Sequence, residues 1–398
     1  MMKTRQGLLF GFALFRAAVI FSFFLAGCAT TDHAKRDALF DENGLSNFME
    51  QLAAEDSFSG VVLIASGGKV YFERAYGMAD KSQNQPNNID TKFNLGSVAK
   101  IFTAVAIAQL VEQGKLSFDD TIEKYVDGLS SEVAGKITVK QLLTHTAGLG
   151  DIFTPAYMTG KDEVDTVGGF MPYITSQDVL FEPGTQHQYS NGGFVVLGAI
   201  IEKVSGENYY QYIRDHITGP LGMANTDFYK KFDLIPNLAR GYTNPDGGPQ
   251  LLPPLPPPGQ GRIIGPPPAA DRNAAREDNL PTLPLIGNPS GGAYSTARDM
   301  LAFSSALMNH TLLSKEYTDA VMSGHVRVPR GEYGYGFEIF VENGHRTAGH
   351  SGGAPGVSAM FRILVDDDCT VIVLSNYDDG VRRPYEEIIR QYIPIPKN

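Results

Sequence analysis

Short apolar runs typical of strands lie towards both ends of the chain, and helical patterns lie between and beside them. Residues 60–64 and 69–72 flank the pair Gly67-Gly68, a pattern typical of a β-hairpin. Further strand-like runs cover residues 335–341, 357–364 and 370–374. Because two strands cannot form a stable sheet alone, we expect the strands of both ends to share one antiparallel sheet.

Helical patterns fill much of the remaining chain. They cover residues 45–54, 98–111, 138–143, 194–204, 297–308 and 384–392. Segment 98–111 is apolar almost all round, which indicates a buried helix, and Gly114 lies where that helix should end. The predicted fold class is therefore α+β: an antiparallel sheet formed by N- and C-terminal strands and flanked by helices, with an inserted mainly helical lobe.

The predicted domain covers residues 42–393 and divides into two lobes. The sheet lobe takes about residues 42–96 and 288–393, and the helical lobe about residues 97–243. At about residues 244–287 lies a proline-rich insertion, whose runs 251–258 and 266–268 can form neither a helix nor a central strand. We interpret it as a spacer or partly ordered loop, with a functional rim loop at the cleft as the alternative.

Residues 1–27 have the pattern of an export signal. A basic start precedes an apolar run that ends in Leu25-Ala26-Gly27-Cys28. This ending resembles the bacterial lipoprotein processing box, in which the cysteine is acylated and becomes the new N-terminus. We therefore expect lipidation at Cys28, a tether over residues 28–41, and a protein anchored to a membrane of the bacterial cell envelope. Ordinary signal cleavage near Ala29 is the alternative.

Charge and cysteine content exclude several classes of function. The formal net charge of −11 excludes nucleic acid as a partner, since no basic surface can replace the counterions of a phosphate backbone. Once Cys28 is lipidated, Cys369 alone remains, so no disulfide framework is expected. The sequence has no His-Glu-x-x-His motif and no cysteine pair, and we expect neither a metal nor a cofactor.

Residues Ser97-Val98-Ala99-Lys100 form a Ser-x-x-Lys motif at the start of the buried helix. The serine and the lysine share a helix face, and the helix N-terminus favours an oxygen anion. Burial should lower the pKa of Lys100 and make it a base for Ser97. The alternative is a capping serine beside a solvated lysine. A second match, Ser66-Gly67-Gly68-Lys69, lies on the hairpin turn, where nothing favours reactivity.

Residues Tyr189-Ser190-Asn191 follow a turn and precede a helix. In an extended segment the side chains of Tyr189 and Asn191 point the same way. A tyrosine near an ammonium group ionises more easily and can pass a proton between a serine and a leaving group. The asparagine can bind an amide of the substrate. By itself, however, the tripeptide is also consistent with a surface turn.

Residues Gly349-His350-Ser351-Gly352-Gly353 match the Gly-x-Ser-x-Gly pattern, which makes Ser351 a rival nucleophile. The rival is disfavoured because a strand pattern follows it instead of a helix, and because no histidine comes after His350. We expect a strand edge, with His350 pointing into the cleft and the glycines allowing close approach of substrate or oxyanion. His145 is interpreted as a hydrogen-bonded structural residue.

The order of three motifs resembles that of the serine β-lactamase and penicillin-binding protein superfamily, closest to its class C β-lactamase-like branch. The motifs are Ser97-Val98-Ala99-Lys100, Tyr189-Ser190-Asn191 and His350-Ser351-Gly352. The branch includes D-stereospecific peptidases and esterases. The resemblance implies an acyl-enzyme at Ser97, proton sharing by Lys100 and Tyr189, and an oxyanion hole from the N–H groups of Ser97 and Gly353. It implies substrate binding by Asn191, His350, Ser351, Gly352 and Gly353.

One position departs from the pattern of this superfamily. Class C β-lactamases carry, where His350 stands, a lysine that binds the carboxylate of penicillins and cephalosporins. A largely neutral histidine gives up most of that attraction. The resemblance therefore implies short acyl esters and D-amino-acid peptides, cell-wall peptides among them, ahead of β-lactams as substrates. The alternative is a non-catalytic or weakly catalytic lipoprotein that binds penicillin or peptidoglycan peptides.

Overall fold

One antiparallel sheet, built from both ends of the chain, lies at the centre of the fold. The computed structural model describes residues 41–244 and 275–392. The strands of the sheet are β1 (Gly60–Ser66), β2 (Lys69–Tyr76), β3 (Val326–Val328), β4 (Gly331–Tyr333), β5 (Glu338–Glu342), β6 (His345–Ala354), β7 (Val357–Leu364) and β8 (Cys369–Ser375). Their spatial order is β2-β1-β8-β7-β6-β5-β4-β3, so the first hairpin pairs directly with the last strand. The predicted fold class is confirmed.

Helices cover the sheet and occupy much of the chain between β2 and β3. They are α1 (Glu42–Ala54), α2 (Lys100–Glu112), α3 (Ser131–Ala134), α4 (Val139–Leu143), α5 (Pro155–Gly160), α6 (Val167–Phe170), α7 (Pro172–Thr175), α8 (Asn191–Ser205), α9 (Tyr209–Ile213), α10 (Ala297–Met308), α11 (Lys315–Val321) and α12 (Arg382–Glu387). Helix α2 is buried all round, as its apolar pattern predicts. Gly114 follows its end with a φ of +70°, a conformation that favours glycine.

Both faces of the sheet are buried, and strand β1 illustrates how. Val61 and Leu63 pack into the larger core, which includes most of helix α2. Val62 and Ile64 point the other way, into a smaller core that includes Leu45 of helix α1. The alternation of side chains along the strand therefore determines which helix each residue contacts.

The C-terminal strands differ from the sequence prediction where they approach the helices. The run predicted as a strand over residues 335–341 becomes a strand only at Glu338. Before it, the chain bends at Gly336, which adopts a φ of +75° and donates its N–H to the Leu143 carbonyl in the helical part of the chain. As a result Glu338 pairs with Gly349, at the point where the β5–β6 ladder ends.

Residues 275–287, which the sequence analysis assigned to the proline-rich insertion, pack on the domain. Asn279 is buried, and its side chain donates to the Pro355 carbonyl at 2.8 Å. The Leu285 N–H donates to the Lys161 carbonyl at 3.1 Å. This part of the predicted insertion therefore belongs to the packed structure.

Several expectations concern residues that the structure does not describe. Residues 245–274 of the insertion lie outside the described residues, as do the signal peptide, Cys28 and the tether up to residue 40. In the part of the chain that is described, no helix is both long and apolar enough to cross a bilayer.

Candidate active site

Ser97 lies in a short 3-10 turn, Gly96–Ala99, that leads directly into helix α2. This turn packs tightly against strand β6. A Cβ on Gly352 would lie 2.0 Å from a main-chain oxygen before the turn, and a Cβ on Gly96 would lie 2.8 Å from the Gly353 nitrogen. Both positions therefore require glycine, and the close packing brings the backbone of β6 next to the serine.

The Lys100 side chain is fully buried, and its nitrogen contacts three oxygens. Nζ lies 3.2 Å from Ser97 Oγ, 2.7 Å from Asn191 Oδ1 and 2.5 Å from the Ser290 carbonyl oxygen. Amide and carbonyl oxygens can only accept hydrogen bonds, whereas a serine hydroxyl can donate. When Lys100 is neutral, its lone pair must therefore face the Ser97 hydroxyl, which is the arrangement a general base requires.

Electrostatics favour this neutral form of the lysine. Burial lowers the pKa of Lys100 from 10.5 to about 7. The carboxylates of Asp151 and Glu338 act in the opposite direction, since negative charge favours the ammonium form. Near neutral pH a substantial fraction of Lys100 is therefore unprotonated and can accept a proton.

Tyr189 lies beside the same lysine and serine. Lys100 Nζ is 4.7 Å from the centroid of the Tyr189 ring. Although 38% of the residue is exposed, burial around its hydroxyl raises the pKa of Tyr189, and the nearby Ser97 hydroxyl offsets this only in part. The expectation of easier ionisation is therefore wrong, because burial favours the neutral phenol. The protonated phenol is placed to donate a proton.

Asn191 is held in place by Asp151, a residue that sequence reasoning missed. Asn191 begins helix α8, and its Nδ2 donates to the Asp151 carboxylate at 3.0 Å. This contact leaves Asn191 Oδ1 to accept from Lys100, so Asp151 determines which way the amide faces. Asp151 follows a glycine-rich turn, and nothing in its spacing distinguishes it from an ordinary turn aspartate.

Residues 350–354 of strand β6 form a free edge. In the part of the chain that is described, they pair with β7 alone, because β5 ends opposite Gly349. The Ser351 N–H points towards the β5 side, since it donates to the Glu338 carboxylate at 3.1 Å. N–H directions alternate along a strand, so the Gly353 N–H points to the same free edge. This direction suits an oxyanion hole made by the N–H groups of Ser97 and Gly353.

The His350 ring lies inside the protein, so the expectation that it points into the cleft is wrong. The residue is 1% exposed, with Nδ1 2.5 Å from the Ser351 carbonyl oxygen and Nε2 2.9 Å from the Tyr333 hydroxyl. These two partners draw the ring inwards. Burial lowers the pKa of His350 to about 4, although Glu338 opposes the shift. The imidazole is therefore neutral at pH 7.

Ser351 also turns its hydroxyl towards the protein. Ser351 Oγ is 3.0 Å from Glu338 Oε1, and Glu338 forms an ion pair with the buried Arg362. Burial by itself raises the pKa of Glu338, but Arg362 and the hydrogen-bond donors hold it below its ordinary value. Glu338 is therefore a weak base, and Ser351 contacts no group comparable to Lys100. Tyr333, Glu338 and Arg362 have no recognisable signal in the sequence, since Glu338 and Arg362 lie in ordinary strand patterns and Tyr333 precedes one.

The structure thus brings together most of the residues that the sequence analysis selected. Ser97, Lys100, Tyr189 and Asn191 share direct contacts around one lysine nitrogen. Gly352 and Gly353 lie against the turn that carries the serine. The side chains of His350 and Ser351 lie nearby but bind other protein groups.

Comparison with known proteins points to one family. Residues 45–391 match the family described as Beta-lactamase. Penicillin-binding protein 4* of Bacillus subtilis (strain 168) is 29% identical to this chain over 357 residues, which cover 87% of this chain and 73% of that protein.

Solved structures agree with this assignment. A penicillin binding protein from Bacillus halodurans superposes with a TM-score of 0.73 at 29% identity, covering 85% of this chain and 97% of that one. A D-amino acid amidase from Ochrobactrum anthropi SV3, complexed with L-phenylalanine, shares the fold with a TM-score of 0.73 at 24% identity, covering 87% of this chain and 98% of that one. Because the family match spans most of its length, the chain belongs to the beta-lactamase family.

Proposed function

We propose that this protein is a serine hydrolase that forms an acyl-enzyme at Ser97 with amide or ester substrates. One observation carries the proposal: a fully buried lysine contacts three oxygens, of which the Ser97 hydroxyl alone can donate a hydrogen bond. With its pKa lowered to about 7, Lys100 can take that proton near neutral pH.

The proposed reaction begins when the Ser97 proton moves to neutral Lys100 and Ser97 Oγ bonds to the substrate carbonyl carbon. The N–H groups of Ser97 and Gly353 stabilise the negative charge that forms on the carbonyl oxygen. Tyr189 donates its proton to the leaving nitrogen or oxygen as the bond to carbon breaks, and the Lys100 ammonium reprotonates the tyrosinate. Water then hydrolyses the acyl-enzyme, which releases the acid and restores Ser97.

We propose D-amino-acid peptides and short acyl esters as the substrates. A cation 4 Å from a substrate carboxylate would contribute about 4 kcal/mol of Coulomb attraction at an effective dielectric of about 20, before desolvation. The buried, neutral His350 does not supply that cation. The fold shared with a D-amino acid amidase supports substrates of the D configuration.

A substrate panel tests this proposal. We expect kcat/KM for p-nitrophenyl butyrate and D-alanine p-nitroanilide to exceed that for a chromogenic cephalosporin by at least about tenfold, because the neutral His350 supplies no cation for the carboxylate. L-Alanine p-nitroanilide is the control for stereochemistry. A cephalosporin hydrolysed faster than both would contradict the proposed specificity. Absence of Ser97 labelling by a fluorophosphonate would contradict the hydrolase and favour a peptide-binding lipoprotein.

We also propose that a lipid on Cys28 anchors the protein in the bacterial cell envelope. The support is the sequence Leu25-Ala26-Gly27-Cys28 after an apolar run. Cys28→Ser is expected to move the protein from the membrane fraction to the soluble fraction, because each buried lipid CH₂ contributes about 0.8 kcal/mol. Immunoblots of fractionated cells measure this, with Cys369→Ser as the matched control that stays with membranes. Wild-type protein found wholly in the soluble fraction would rule out the anchor.

A further inference from the structure

A chain of buried groups directs the hydrogens of His350 into the protein. The Ser351 carbonyl can only accept, so His350 Nδ1 carries the ring hydrogen, and Nε2 of the neutral ring accepts from the Tyr333 hydroxyl. Tyr333 accepts in turn from His145 Nε2 at 3.0 Å, because His145 Nδ1 already accepts from the Ser190 N–H. Only one placement of hydrogens satisfies every group, and in it His350 has no hydrogen left for a substrate.

Ser351 likewise donates both its main-chain N–H and its hydroxyl hydrogen to a group of the protein. The Glu338 carboxylate accepts from the Ser351 N–H at 3.1 Å and faces its hydroxyl at 3.0 Å. The ion pair with Arg362 keeps Glu338 ionised, and an ionised carboxylate can only accept hydrogen bonds. The Ser351 hydroxyl must therefore donate to Glu338. Its lone pairs remain available, and the residue is only partly buried.

The charges around these two positions also disfavour an anion. The carboxylates of Glu338 and Asp151 both favour the ammonium form of Lys100, so both exert their charge within the site. Lys100 itself is largely uncharged above neutral pH. The guanidinium of Arg362 is buried and paired with Glu338, so its charge is already compensated.

We propose that Ser351, beside the buried His350, forms a hydrogen-bond-accepting subsite that takes a leaving group bearing a carboxamide or an ammonium and discriminates against a carboxylate. A donor on the substrate would lie against the lone pairs of Ser351 Oγ, whereas a carboxylate would find no hydrogen to accept from either side chain. Glu338 determines this specificity, because it fixes the direction of the Ser351 hydroxyl. The proposal rests on the proposed hydrolase function and names the leaving group that the hydrolase prefers.

Three matched substrates test the subsite in the wild-type protein. Each has an N-acetyl-D-alanyl acyl half, joined through an amide to D-alanine, to D-alaninamide, or to the C2 amino group of (R)-propane-1,2-diamine. The leaving groups therefore differ in one substituent: a carboxylate, a carboxamide or an aminomethyl group. We expect kcat/KM to be at least about tenfold higher for the carboxamide and the ammonium than for the carboxylate.

Two variants test whether Glu338 and Ser351 are responsible. In Glu338→Gln the new amide can donate to Ser351 Oγ and free the hydroxyl hydrogen, so the ratio of carboxamide to carboxylate turnover should fall about tenfold. Glu342→Gln is the matched control on the same strand, since Glu342 binds Tyr385 and Thr347 instead, and its ratio should stay that of the wild type. Ser351→Ala should lower carboxamide turnover about fivefold and carboxylate turnover less than about twofold.

The outcomes separate this proposal from the hydrolase function on which it rests. Hydrolysis of none of the three substrates, together with no turnover of p-nitrophenyl esters, would overturn the proposed function itself. Turnover that favours the carboxylate in the wild type would overturn the subsite alone. If Glu338→Gln does not fold, Ser351→Ala decides: a larger loss with the carboxylate than with the carboxamide would show that Ser351 donates to substrate and would refute the proposal.

Discussion

Ser97→Ala is expected to lower kcat/KM towards p-nitrophenyl esters by at least about 10³-fold, because it removes the oxygen that forms the acyl-enzyme. The hydroxyl contacts both Lys100 and Tyr189, and no other serine in the described residues contacts the Lys100 nitrogen through its hydroxyl. Initial rates of p-nitrophenol release measure the loss, and an unchanged thermal unfolding midpoint shows that the variant is folded.

Two other serines provide controls for this result. Ser66→Ala changes the serine of the second Ser-x-x-Lys match, which lies at the end of β1 in the first hairpin, and should keep wild-type activity. Ser351→Ala should lose far less activity than Ser97→Ala, since Ser351 faces the weak base Glu338. If Ser351→Ala were the inactive variant and Ser97→Ala stayed active, the proposed mechanism would be refuted.

Lys100→Met is expected to lower kcat/KM by at least about 10²-fold and to change its pH dependence. In the wild type, burial lowers the pKa of Lys100 to about 7, and only the neutral amine can accept the Ser97 proton. The rate should therefore fall about tenfold per pH unit below pH 7 and level off above about pH 8. Profiles of kcat/KM from pH 5 to pH 9 measure this acid limb, which should disappear in Lys100→Met.

Two further variants show whether the acid limb belongs to Lys100. Asp151→Asn removes a carboxylate that favours the ammonium form, so the limb should move to lower pH. Lys69→Met, in the second Ser-x-x-Lys match, should leave the profile unchanged. An acid limb that persists at the same pH in Lys100→Met would assign the titration to another group and remove Lys100 from the role of base.

Strong local patterns determined most of the fold. The continuous apolar run of β1, the hairpin glycines and the all-round apolar segment of α2 each indicate a single kind of element, because only a buried strand, a tight turn and a buried helix fit these patterns. The same patterns predicted the proposed nucleophile: a lysine on a helix otherwise built of apolar residues must lose its hydration, which favours its neutral form. Ser97 and Lys100 also lie on one helix turn, where spacing alone brings them together.

Contacts between distant segments could be decided only by the tertiary structure. Asp151 orients Asn191, and Glu338 turns the Ser351 hydroxyl inwards, yet each lies in a turn or strand that looks ordinary in sequence. The direction of His350 was misjudged for the same reason. The position of a residue along a strand predicts on which face of the sheet its side chain lies. Whether that side chain contacts solvent or another side chain, here Tyr333, depends on a different strand.

The first hairpin, the buried helix and the Ser97–Lys100 pair could therefore be predicted from the amino-acid sequence alone, since these depend on residues close together in the chain. Which hydrogens and lone pairs of the polar groups are already used within the protein depends on the tertiary structure. The Lys100 lone pair is directed at Ser97 by two acceptors, Asn191 Oδ1 and the Ser290 carbonyl, that come from other parts of the chain. In a buried site each donor and acceptor binds whichever groups surround it. Which of them remain free for a substrate is therefore known only when all the surrounding groups are in place.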